Sequence, residues 1–132
     1  MLLNAGWENR MALSKATIVI FNHGINDAAA GDIDAYKACL TALAATAKNH
    51  GKRVIFETPN PVDNANIQLD KYVLAMKEVA SRDNAPVIDQ FAFLSQSGRS
   101  FREMCPDGTH PSQAVYIEKG QFAASVYVKI PL

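Results

Sequence analysis

The segment Ala16-Thr17-Ile18-Val19-Ile20-Phe21 constrains this chain most, because it is β-branched and apolar on both alternations. A strand of that kind needs cover on both faces, which a parallel sheet packed between helices provides. It runs without a spacer into Asn22-His23-Gly24-Ile25-Asn26-Asp27, a polar stretch read as a loop. Ligands of open α/β sheets bind beyond the carboxyl ends of the strands, so this loop is the first place to look for chemistry.

The remaining pattern alternates. Asp32 is placed to cap a helix from Ile33 to His50, with Tyr36, Cys39, Leu40, Leu43 and Ala47 on one stripe and Gly51 as the stop. Arg53 to Glu57 reads as a second strand, and Pro59 and Pro61 hold the next residues extended, with loop to about Asn64. Leu69, Val73, Met76, Val79 and Ala80 set a helical period within Asn66 to Asp83, and Pro86 to Asp89 gives a third short strand. A short helix over Phe91 to Leu94, a polar loop over Ser95 to Ser100 and a turn-rich stretch over Cys105 to Pro111 follow. Ser112 then caps a last helix to about Val128, with Val115, Phe122, Val126, Tyr116 and Tyr127 expected inward. Alternation with short connections predicts α/β architecture, a parallel sheet between helical layers, as one domain over 1–132.

Composition excludes several classes of function. Thirteen basic and thirteen acidic residues cancel, and no basic cluster exceeds Lys52-Arg53, so the footprint of a nucleic-acid binder is missing. The longest apolar run is Ala16 to Phe21, against about 18 residues for a membrane span, so no membrane partner is expected. Asn4, Glu8, Asn9 and Arg10 interrupt anything resembling a secretion signal after Met1, and the signal of a secreted form would lie upstream. Cys39 and Cys105 form neither a disulfide framework nor a zinc-type pair; Cys39 reads as a small core residue and Cys105 as free or paired. No cofactor is implied. A metal site from His23, Asp27, Asp107 and His110 lacks any supporting spacing.

Asp107-Gly108-Thr109-His110 has a spacing with chemical meaning. A carboxylate three residues before an imidazole can fold back through the glycine, accept the ring N–H, and leave the other nitrogen as a base. Alone, Pro106-Asp107-Gly108 is also an ordinary turn, and Gly24 to Asp27 an ordinary loop after a strand.

Together, Gly24-Ile25-Asn26-Asp27 after a strand and Asp107-Gly108-Thr109-His110-Pro111 before the final helix resemble blocks III and V of the SGNH (GDSL-like) hydrolase family. The resemblance implies a three-layer α/β/α sandwich, flavodoxin-like, with a parallel sheet of usually five strands. It implies that Asn26 donates to an oxyanion, that Gly24 keeps its loop tight, that His110 is the general base and that Asp107 orients it. Asp27 would brace the loop. The implied substrate is an acyl or acetyl ester of a small molecule or carbohydrate.

One block is missing: the family carries its nucleophile in a Gly-Asp-Ser motif after its first strand, and this sequence contains none. Ser14 lies at the wrong end of its strand, and Ser81, Ser95, Ser97, Ser100, Ser112 and Ser125 lie in segments the family does not use. Leu2 to Gly6 faintly resembles the block that supplies a second oxyanion glycine, followed by a short helix from about Glu8 to Ser14. On that alignment the chain is N-terminally truncated, lacking the first strand and the nucleophile. A deficient esterase is then expected, with its open sheet covered by a homo-oligomer or by the missing segment. The alternative is a non-catalytic SGNH-like module that binds glycans or serves a structural role.

Overall fold

In the computed structural model, which describes residues 5–131, three strands form one parallel sheet. They are β1 (Ile18–Phe21), β2 (Arg53–Glu57) and β3 (Val87–Ile88), in the order β1-β2-β3. Ile18 pairs with Arg53 and Phe21 with Phe56, and Phe56 in turn pairs with Val87. Helices make each crossover: α2 (Ile25–Ala30) and α3 (Ile33–Asn49) join β1 to β2, and α4 (Leu69–Arg82) joins β2 to β3. α1 (Ala5–Leu13) precedes the sheet; α5 (Gln90–Ser95), α6 (Phe101–Met104) and α7 (Gln113–Tyr127) follow it. The α/β/α layering with a parallel sheet is as expected, with three strands among the described residues where the resemblance implied five.

Local chemistry explains most boundaries. Asp32 caps α3 by accepting from the Ala35 amide at 2.9 Å, and Gly51 beyond its end has a φ of 72°. α4 begins at Leu69, later than the Asn66 expected. Asn64 is the reason: its side chain accepts from the Asn66 amide at 3.0 Å and its carbonyl from the Ile67 amide at 3.1 Å, closing a turn instead. α6 was not anticipated, although its signal was present, because Ser100 and Glu103 form a reciprocal capping box. Ser112 caps α7 as expected, accepting from the Val115 amide.

The core is uneven across the sheet. Val54, Phe56 and Phe21 face α3 and α4, packing with Tyr36, Leu40, Tyr72, Val73 and Met76 in the larger cluster. Trp7 of α1 is half-buried against it and donates Nε1 to the Leu43 carbonyl at 3.2 Å. The opposite layer is smaller, built from Leu94, Met104, Cys105 and Val115, with Phe93 stacked on Phe122 at 4.2 Å.

Two expectations are corrected here. Among the described residues β1 is an edge strand and is not enclosed on both faces: Phe21 is buried, Ile18 and Val19 are half-buried, and Ile20 is 45% exposed. α7 buries Val115 fully, leaves Phe122, Val126 and Tyr127 half-buried, and exposes Tyr116. Both have one cause. α5 and α7 pack together on the β3 side, and no described element covers that face of β1.

Candidate active site

Gly24 ends the turn out of β1 with φ 145°, a backbone conformation that disfavours any residue with a Cβ. A Cβ there would also meet Pro59 Cγ at 3.2 Å and Tyr36 Oη at 3.5 Å. Sterics therefore require glycine twice over. Tyr36 donates its hydroxyl to the His23 carbonyl at 3.2 Å, tying α3 to this turn. Burial, with Asp27 nearby, pushes that phenol well above its usual range, so it remains a donor.

The residues after Gly24 are helical, not the loop expected: Ile25, Asn26 and Asp27 open α2, and the Ala28 amide returns to the Gly24 carbonyl at 2.7 Å. Asn26 is exposed and Asp27 is buried. Sequence periodicity had too few residues to reveal so short a helix.

Asp107 folds back as its spacing suggested. Its Oδ1 accepts from the amides of Thr109 at 2.8 Å and His110 at 2.7 Å, while Oδ2 lies 2.7 Å from His110 Nδ1. The His110 and Thr109 amides, then the His110 ring, hold the carboxyl well below the usual carboxylate range. An ionised carboxylate only accepts, so Nδ1 carries the hydrogen and Nε2 offers its lone pair. Gly108, at φ 88°, turns the loop where a Cβ would meet the Asp63 carbonyl at 3.2 Å. Both partners are open to solvent, with side chains 72% and 57% exposed for His110 and Asp107.

Both segments open on one cavity of about 710 Å³, lined by Gly24, Asn26, His23, Pro59, Thr109 and His110 among others. It lies at the carboxyl end of β1, where parallel sheets bind ligands. Gly6 is exposed in α1 and is not among the described residues lining this cavity, and Leu2 to Asn4 lie outside the described residues. No serine or cysteine is among the described lining residues, and neither cysteine of the chain is in a disulfide.

Residues not singled out by motif complete the wall. Asn60, 4% exposed, donates Nδ2 to the carbonyls of Pro61 at 2.9 Å and Thr109 at 3.2 Å, so it ties the β2 exit loop to the His110 loop. Its Oδ1 accepts from Lys119 Nζ at 3.2 Å, and Lys119 and Tyr116 of α7 also line the cavity. The signal available was that Pro59-Asn60-Pro61 follows a strand end, as Gly24 does.

The GDSL-like lipase/acylhydrolase family model matches residues 2–116. The chain belongs to this family. Solved structures agree on the fold. A lipolytic protein of the G-D-S-L family from Veillonella parvula superposes with a TM-score of 0.77 at 19% identity, over 95% of this chain and 72% of that one. A mutant of an acetyl-xylooligosaccharide esterase from Geobacillus stearothermophilus gives 0.80 at 22%, over 96% and 66%. A lipase/acylhydrolase from Enterococcus faecalis gives 0.74 at 22%, over 89% and 66%. This chain thus spans about two thirds to three quarters of these GDSL-like proteins. A search of curated protein sequences gives no match.

Proposed function

We propose that this GDSL-like chain carries the base and oxyanion half of a serine-esterase site, acting on acyl or acetyl esters of small molecules or carbohydrates. One observation carries the reading: an imidazole oriented by an ionised carboxylate opens on the same cavity as Asn26. Nε2 of His110 takes a proton from the attacking oxygen and returns it to the leaving alcohol, and Asp107 stabilises the imidazolium between those steps. The Asn26 side-chain amide donates to the oxyanion as the carbonyl carbon becomes tetrahedral. Asp27, behind it, braces the turn. Acetyl esters of sugars suit this reading, since one similar fold belongs to an acetyl-xylooligosaccharide esterase.

The nucleophile is absent from the described cavity wall, and His110 stands in water, where charge stabilisation is weak. These 132 residues are therefore deficient as an esterase, and any hydrolysis is that of an oriented imidazole acting on water. A short-chain nitrophenyl ester tests this. Slow turnover that disappears in His110→Ala is expected. Efficient His110-dependent turnover would overturn the deficiency, and turnover indifferent to His110→Ala would overturn the assigned base.

A further inference from the structure

We propose that Lys119 and Tyr116 form a subsite for the carboxylate of an acidic sugar, on the alcohol side of the ester. The assignment rests on the cavity being the ester site, and it adds the kind of alcohol the cavity takes. Lys119 is the only lysine or arginine among the described residues lining that cavity, where the other ionisable side chains are His23, Asp27, His110 and the Tyr116 phenol.

Its surroundings differ from those of five cations on the surface. Lys37, Lys48, Lys77, Arg99 and Arg102 each pair with a carboxylate on the surface. Lys119 has no such ion pair among the described residues. Glu57, the carboxylate that acts on it electrostatically, accepts instead from Gln90 Nε2 at 2.9 Å. The head of Lys119 is held by the buried amide of Asn60, and its backbone carbonyl accepts from fully buried Gln90 at 2.9 Å. Both ends of the residue are thus fixed by buried amides. An ammonium has three donors, and only one is committed, to Asn60.

Desolvated ammonium with spare donors favours an anion over a neutral hydroxyl. The Tyr116 ring lies 5.4 Å from Nζ, one helical turn earlier, and is half exposed. A flat aromatic surface beside a cation suits a pyranose ring bearing a carboxylate, its C–H face on the ring and its charge on Nζ.

Binding tests this without any turnover. Isotope-labelled protein is titrated with methyl glucuronoside and with methyl glucoside and followed by NMR. The glucuronoside is expected to bind at least five-fold more tightly, with shifts centred on Asn60, Thr109, Tyr116 and Lys119. Lys119→Met and Lys119→Gln should each abolish that preference, and added salt should weaken the glucuronoside alone. Equal binding of the two sugars, shifts centred elsewhere, absence of binding at millimolar concentration, or a preference that survives both substitutions would each overturn the proposal. A glucuronoside preference alongside ester turnover indifferent to His110→Ala would sustain the subsite while counting against the assigned base; His110-dependent turnover without the preference would do the reverse.

Discussion

Ile20 and Ile55 stand opposite one another in the register of neighbouring parallel strands, yet Ile55 is fully buried and Ile20 is 45% exposed. The two side chains share one alternation and therefore one face of the sheet. Among the described residues that face is covered over β2 and open over β1 at Ile20.

The contrast gives opposite expectations for the two residues. Ile55→Ala is expected to cost about 2–5 kcal/mol in urea unfolding, the range for a large-to-small change in a closed core. Ile20→Thr is expected to stay within about 0.5 kcal/mol, as at a surface position.

For these 132 residues on their own, we further expect the edge of β1, which no described strand pairs, to draw a second copy of the chain, because unpaired strand groups beside apolar side chains associate. Light scattering over a concentration series should show a dimer that Ile20→Lys weakens. A monodisperse monomer at micromolar concentration would rule this out.

Gly24→Ala tests the turn on which Asn26 depends. Positive φ and the 3.2 Å approach to Pro59 act together, so a loss of at least about 1–3 kcal/mol is expected by chemical denaturation. Gly31→Ala, at φ 82° but with nothing near its Cβ, should cost less.

The Asp107 loop should keep its form in acid. Its carboxyl is held low in the folded state, so its contribution to stability is complete above the unfolded carboxylate pKa and is lost progressively as pH falls from there through the lower folded value, while the folded carboxyl itself stays ionised until that lower value. The Asp107 side-chain carboxyl carbon resonance is therefore expected to show no carboxylate titration near pH 4 and to titrate only in stronger acid. Movement with a midpoint near pH 4 would contradict the turn. Asp107→Asn should preserve much of the turn while removing the His110-dependent ester hydrolysis, since a neutral amide no longer dictates the tautomer.

Asn60→Ala removes a buried amide that joins three segments. It leaves the Thr109 carbonyl without its donor and Lys119 without its acceptor. A loss of about 1–3 kcal/mol in stability is expected. The His110 ring resonances should broaden, because the loop then keeps the Asp63 amide bond to the Gly108 carbonyl but loses the Asn60 tie nearest His110, whereas Asn66→Ala on the exposed turn should leave them unchanged.

Several features were legible in the residues themselves because their causes are local. The Asp32 and Ser112 caps, the Gly51 stop and the Asp107 to His110 turn each depend on atoms within a few residues. Short elements were harder to read. α2 and α6 hold six and four residues, too few for a helical period, and Asn64 delayed α4 through a turn that hydrophobic spacing does not register.

From the sequence alone came the parallel α/β class, the family resemblance and the pairing of Asp107 with His110, since periodicity and short-range hydrogen bonding decide them. Tertiary structure alone decided that Ile20 and Tyr116 are exposed, that Asn60 ties the His110 loop to β2, and that Lys119 shares the cavity with His110. Apolar residues carry no record of whether a neighbour arrives to cover them. That depends on where helices distant in the chain settle on the sheet, and here α5 and α7 settle away from β1.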